Sequence, residues 1–175
     1  MRWRILAGVT SGVAIPGWVE PTVQQVLDAH RLAYSRAAST GHWRDKGRAE
    51  GLQWGLTGGQ APIGSEVLPR PPELLEALEM LRVSAQASRT SRTEVSREWA
   101  AGVAQVLGWL LAGDGDLGIP LPRRHPDGRV LTEDELYAEL NPQPGWAPEQ
   151  RLQARDTARR RARLYRELAE LVDTA

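Results

Sequence analysis

The sequence predicts an all-α protein, a helical bundle of about five helices with long proline- and glycine-rich loops and an extended N-terminal arm. Three observations carry that prediction. Apolar residues recur at intervals of three and four in several segments, as a helix with one buried face requires. Helix-start signals stand ahead of those segments: Pro21, the Pro-Pro-Glu at 71–73, and two Ser/Thr-x-x-Glu boxes at Ser91/Glu94 and Thr132/Glu135. Between them lie "TGGQAPIGSEVLPRPP", "GDGDLGIPLPRRHPDGR" and "NPQPGWAP", compositions that break regular structure.

A chain of 175 residues is long enough for one core, burying roughly 70% of its unfolded surface. The expected division is an arm over 1–20 and a helical domain over 21–175. The arm opens with Arg2 and Arg4 ahead of a mildly apolar run, Ile5 to Ile15, interrupted by Gly8, Thr10, Ser11 and Gly12. The run lacks a good small-x-small cleavage site and is too short to span a bilayer, so it reads as a strand or extended arm packed on the body of a cytoplasmic protein, with a weak signal-like segment as the alternative.

From Pro21 the positions Val23, Val26, Leu27, Ala33, Tyr34 and Ala37 define a first helix to about Ala38. His30 lies on or beside its face without ligand-spaced partners, as a core or boundary histidine does. The next segment, "HWRDKGRAEGLQWGLTGG", places Gly47, Gly51 and Gly55 on one helical face. Each interior glycine costs about 1 kcal/mol against alanine, so three imply a compensating close approach of another backbone. That backbone belongs either to this chain or to a partner helix in a groove flanked by Trp43 and Trp54.

After the 57–72 linker, "PPELLEALEMLRVSAQA" predicts a helix with Leu74, Leu78, Leu81 and Ala85 as its apolar stripe, broken or bent by the polar "SRTSRT". The strongest helix is expected to start at Ser91 and to stop at Gly113, with Val95, Trp99, Val103, Val106, Leu107, Leu110 and Leu111 at helical spacing. Its second half is apolar over most of its circumference, which places it at the centre of the bundle. Asp114, Asp116 and Gly118 have the look of a calcium loop, but Ile119 and Pro120 stand where more oxygen ligands are needed. A short helix follows Thr132 through Leu140, and the last runs over 148–173.

That last helix carries seven arginines, Arg151, Arg155, Arg159, Arg160, Arg161, Arg163 and Arg166, opposite a seam of Ala154, Ala158, Ala162, Tyr165, Leu168 and Val172. The seam makes it a docking helix, and Arg155, Arg159, Arg160, Arg161 and Arg163 form a candidate phosphate-binding face. Acidic residues at i+4 temper that face, as does a chain with 22 basic and 22 acidic residues. Because Lys46 is the only lysine, part of the arginine density reflects overall composition.

Around 83–97 the residues Ala85, Ser91, Val95, Ser96 and Arg97 partly resemble the helix-turn-helix of bacterial repressors. Arg89 and Thr90 stand where that motif has a glycine and an apolar residue, and the second helix continues into an apolar core segment rather than remaining a short reading helix.

Catalytic signatures are missing: no Gly-x-Gly-x-x-Gly or Walker loop, no Gly-x-Ser-x-Gly elbow, no zinc-ligand spacing and no paired carboxylate seam. With no cysteine there are no disulfides and no thiolate chemistry. The sequence therefore leads to a non-catalytic interaction or scaffold subunit of a larger assembly, without cofactor or metal and away from membranes. Its partner is another protein or a second copy, met through Trp18, Trp43, Gly47, Gly51, Trp54, Gly55 and Trp146, since tryptophan is enriched at binding hot spots. The alternative is a nucleic-acid-binding accessory protein using the arginine helix or the degenerate helix-turn-helix. Seven tryptophans in a chain without phenylalanine could equally fill the core.

Overall fold

The computed structural model describes residues 15–113 and 116–173. Among them the fold is all-α, with helices α1 (Val23–Thr40), α2 (Trp43–Thr57), α3 (Leu74–Thr90), α4 (Glu94–Ala112), α5 (Glu133–Glu139) and α6 (Pro148–Asp173). A two-stranded antiparallel ribbon, β1 (Gly59–Gln60) with β2 (Val67–Leu68), stands in the linker that sequence composition left irregular, with Gly59 opposite Leu68 and Gln60 opposite Val67. In space the helices follow one another as α3, α4, α2, α1, α6, α5, with α2 against α4 the most extensive interface. The main core gathers α1, α2 and α4 with Met80, Leu117, Ile119 and Val172. A separate small core of Leu136, Ala158 and Ala162 joins α5 to α6. Of the arm expected over 1–20, residues 1–14 lie outside the described residues. Ile15, Trp18 and Val19 pack against the main core, and Glu20 N donates to Leu110 O (2.9 Å) at the end of α4.

The α2–α4 crossing resolves the glycine pattern. A methyl group on Gly47 would land on the carbonyl oxygen of Trp99 in α4, and one on Gly102 of α4 would land on the carbonyl oxygen of Arg44 in α2. Each helix therefore offers the other a glycine, and the two backbones meet without intervening side chains. One and two turns further on, a methyl on Gly51 would lie 2.6 Å from Val106 Cγ1 and one on Gly55 3.0 Å from Leu110 Cδ1. This face is filled by α4 of the same chain, which corrects the reading of Gly47, Gly51, Trp54 and Gly55 as partner-binding residues. All four are buried in the crossing or the core beside it.

Helix boundaries follow side-chain chemistry that short sequence signals partly hid. In α1 the N-cap is Thr22 rather than a Pro21 start: Thr22 Oγ1 accepts from Gln25 N, and Gln25 Oε1 accepts from Thr22 N (2.9 Å), a capping box with glutamine at its fourth position. In α4 the cap falls two residues later than expected. Thr93 Oγ1 accepts from Ser96 N (3.1 Å), whereas Ser91 closes α3 by donating its N–H to Ala87 O. The polar stretch ends α3 as expected: Ser88 and Thr90 turn their hydroxyls back to the carbonyls of Ala85 and Gln86 in its last turn, and Ser91 follows in extended conformation. The Thr132/Glu135 box forms as expected, and α5 ends at Leu140 before Asn141, which holds φ 51°.

A larger correction concerns the face α3 buries. Its covered residues are Ala77, Met80 and Ser84, while Leu74 and Leu78, expected in the core, are 47% and 43% exposed. At 3.6 residues per turn the stripe of Leu74, Leu78, Leu81 and Ala85 lies about a quarter-turn round from the buried face. Small residues let α3 sit close on α4, and Leu74 and Leu78 are left on the outer flank, while Leu81 packs half-buried against the main core as expected. Ser84 Oγ is fully buried there without a hydrogen-bond partner among the described residues.

Two buried ion pairs brace the fold, one tying a long loop to α1 and one within α2 at its contact with α4. Asp28 of α1 accepts from Arg124 Nε (2.8 Å), Arg124 Nη2 (3.3 Å) and Gln24 Nε2 (2.9 Å), pinning the connection before α5. In α2, Arg48 Nη1 meets Asp45 Oδ1 at 2.6 Å, and its Nε and Nη2 donate to Gln105 Oε1 of α4. Loss of one partner from such a pair leaves an uncompensated buried charge.

Two stability experiments check this architecture. Gly47→Ala and Gly102→Ala should each lower unfolding free energy by about 1–3 kcal/mol or more, since backbone must move. Gly108→Ala, in the same helix as Gly102 but with open space at its Cβ, should instead raise it by up to about 1 kcal/mol. Equal responses at Gly102 and Gly108 in denaturant titrations would mean that no backbone approaches Gly102. Ser84→Ala should stabilise by on the order of 1 kcal/mol, because it removes a buried hydroxyl that has no partner among the described residues. A fall in Tm would show that the hydroxyl has a bound partner in solution.

Candidate interaction surfaces

Three surfaces compete: the tryptophan-bearing loops, the arginine face of α6 and the outer flank of α3.

Trp18 is half-buried. Its Nε1 donates to Pro72 O (2.8 Å), and its ring reaches the α2–α4 crossing, where a methyl on Gly55 would lie 3.8 Å from Cη2. It walls a shallow groove of about 630 Å³ with Pro16, Pro72, Leu74 and Leu111. Trp146 is half-buried in the loop before α6, outside both cores, and its N–H donates to Gln143 O. Trp43 is 45% exposed at the start of α2, with Lys46 Nζ 4.0 Å above its ring. Trp54 and Trp109 are core residues, and Trp99 donates to Glu50 Oε2 (3.0 Å). Burial pushes the Glu50 carboxyl above its usual range despite that hydrogen bond. The tryptophans thus divide between core and surface, with Trp3 outside the described residues.

Near Trp43 a second cleft of about 490 Å³ collects Arg36, Arg44, Arg48 and His42. Its guanidinium groups are already engaged: Arg44 with Glu98 (2.9 Å), and Arg36 and Arg48 both with Asp45, at 3.5 and 2.6 Å. Asp45 Oδ2 also accepts from Thr40 Oγ1. The cleft is closed on itself electrostatically. His30 is likewise occupied, its Nε2 3.2 Å from Gln53 Oε1, and burial holds its pKa below the usual histidine range. Among the described residues no group of histidine and carboxylate side chains is arranged to hold a metal ion, and no helix is long and apolar enough to cross a membrane.

The arginine face of α6 is answered by the acidic first turn of α5, a relation no local sequence window contains. Arg155 Nη1 lies 3.8 Å from Asp134 and its guanidinium 4.5 Å from the Tyr137 ring centre. Arg159 meets Glu133 and Asp156, both at 3.6 Å, and Arg163 meets Glu167 at 2.9 Å. Asp156, although four residues ahead of Arg160, pairs instead with Arg159 at three. Arg160 and Arg161 make no carboxylate contact among the described residues. Such exposed pairs are worth about 0–1 kcal/mol each, yet they cancel local field. Glu135, in the same acidic turn, is held well below the usual carboxylate range by Arg129 and by the Thr132 N–H.

In the region resembling a helix-turn-helix, α3 and α4 form a helical hairpin across Ser91–Thr93. Arg97 folds back onto the carbonyls of Ser91 and Arg92 (3.1 and 3.5 Å), and the first turns of α4 carry Glu94 and Glu98. Carboxylates there oppose a phosphate backbone.

The surface that sequence reasoning missed is the flank of α3. Leu74, Leu75 and Leu78 are 47%, 78% and 43% exposed on consecutive turns beside the Trp18 groove. The available signal was Ala77 and Ser84, small residues seven apart that mark the contact with α4 and displace the leucines from it.

The chain matches no protein-family model, no curated protein and no solved structure.

The pairing on α6 makes a direct expectation for polyanion binding. Duplex or single-stranded nucleic acid should bind weakly, and Arg160→Gln with Arg161→Gln should lower the logarithmic salt slope by no more than about 0.7–0.9 per arginine. A tight complex with a slope corresponding to five or more phosphates would require the α5 carboxylates to release their arginines.

Proposed function

We propose that the protein is a non-catalytic helical subunit that docks on another protein through the outer flank of α3 and the adjoining groove. The observation that carries this reading is the exposure of Leu74, Leu75 and Leu78 together on one end of α3, next to half-buried Trp18 and the prolines at 71–72. Scattered surface leucines are ordinary, but adjacent ones beside an aromatic-walled groove mark interaction sites.

The groove supplies what a hot spot needs: a fixed aromatic, held by the Trp18–Pro72 hydrogen bond, and a rim of Glu20 and Glu73 at its polar edge. Because Trp18 is already immobilised, little side-chain entropy is lost on docking. The nucleic-acid alternative keeps one specific observation: Arg160 and Arg161 meet no carboxylate among the described residues. Two guanidinium groups on one helix supply a small part of the charge that a phosphate-tracking surface uses.

A photoreactive residue placed at Leu75 or Leu78 in native-host extract should yield a discrete cross-linked protein, while the same residue at exposed Gln150 of α6 should yield only background. Indistinguishable patterns at the three positions would remove the support for this face.

A further inference from the structure

We propose that α6 carries a docking face of its own, separate from the flank of α3, and that its occupant is an acidic amphipathic helix of another protein. The two faces are independent, and neither needs the other to be occupied.

The broad small-residue face of α6 is already used inside the chain, with Ala154, Ala158, Ala162, Ala169 and Val172 buried. Beside it Leu164 and Leu171 stay 40% and 53% exposed, while Leu168 between them turns into the main core and takes no part in the outer face. At 3.6 residues per turn Arg160, Arg161, Leu164 and Leu171 lie within roughly 100° of arc. Arg155 and Arg159, which meet the acidic turn of α5, lie outside that arc.

Charge selects the chemistry of the occupant. Arg160 and Arg161 are exposed one turn ahead of Leu164 and meet no carboxylate among the described residues, whereas Glu167 at the edge of the face is held by Arg163 (2.9 Å). Unanswered positive charge therefore stands at one end of the leucine pair, and a partner that covers the leucines gains by bringing carboxylates to that end. Spacing selects its conformation. Leu164 and Leu171 are seven residues apart, about 10.5 Å along the axis at 1.5 Å per residue. A helix laid alongside meets both with apolar residues seven apart. A strand covers the same distance in about three residues, so the side chains at its two ends face opposite ways. A bilayer surface is a poorer occupant, because an interfacial helix needs a wide apolar face and α6 has spent its own on the core. A phosphate backbone leaves both leucines in water. Contact over residues 160–171 stops on the order of 15 Å short of Gln150 along the axis.

The probe is a fluorescein-labelled synthetic helical peptide with leucine at every seventh position and glutamates flanking them, titrated with the full chain and followed by anisotropy. It should bind saturably and more weakly as salt rises. A peptide with the same leucines and lysine in place of glutamate should bind at least about tenfold more weakly. Arg160→Gln with Arg161→Gln should weaken the acidic peptide by roughly tenfold, and Leu164→Gln with Leu171→Gln by roughly tenfold or more. All four positions are outside the buried face, so the helical circular dichroism spectrum of each variant should match the wild type. Leu152→Gln, at a 66% exposed leucine of α6 outside the arc, should leave the affinity unchanged. Failure of the acidic peptide to bind, equal binding of the two peptides, indifference to either double variant, an equal loss in Leu152→Gln, or tighter binding of phosphatidylserine vesicles or of a thymidine oligonucleotide would each overturn the proposal. Cross-linking from Leu75 and Leu78 reads the α3 face separately, so either face can fall while the other stands.

Discussion

The approach of α2 to α4 sets the terms for every other contact in this molecule. Gly47 meets the carbonyl of Trp99 and Gly102 meets the carbonyl of Arg44, so the two backbones come together where any side chain would hold them apart. Such contact recovers, through packing, the conformational entropy and helix propensity that interior glycines lose. It also brings Arg48 of α2 within reach of Gln105 of α4, so the buried Arg48–Asp45 pair is completed across the same interface. Leu117 and Ile119 close the core from the following loop, with Gly118 allowing the chain to pass directly over the Arg48 guanidinium.

Once α2 occupies one side of α4, α3 must take another, and its position follows from small residues. Ala77 and Ser84 bring α3 close to α4 and leave Leu74, Leu75 and Leu78 outside. An amphipathic helix normally turns its leucines inward, so this arrangement leaves hydrophobic area in water that another surface can remove. The proposed docking role descends from that displacement. The free energy available to it depends on how much of the leucine flank and the Trp18 groove is covered together.

The far side of the molecule has a different logic. Helices α5 and α6 share their own small core and reach the rest through α1, the Arg31–Val172 carbonyl hydrogen bond and the buried Asp28–Arg124 pair. The acidic start of α5 lies along the arginine face of α6, so three of the five arginines that suggested a phosphate grip are matched by carboxylates. A stripe that is conspicuous in one dimension is therefore much less so in three.

What the sequence by itself determined was local: the all-α class, the loops, the Thr132/Glu135 cap, the extent of α6 and the need of Gly47, Gly51 and Gly55 for a close neighbour. Each of these follows from interactions within a few residues, in periodicity, capping geometry and glycine's missing Cβ. Tertiary structure decided which backbone answered the glycines, because Gly102 lies in a segment whose alanines and valines advertise a core helix rather than a crossing. It also decided which side of α3 is buried, since Ala77 and the leucines are both apolar and only the distance to α4 separates them. The same holds for Asp28, whose role depends on Arg124 far along the chain, and for the arginines of α6, whose counter-charges come from another helix. Hydrophobic periodicity states that a helix has a face to hide, but the depth of each residue and the partner of each charge are fixed only when the helices meet.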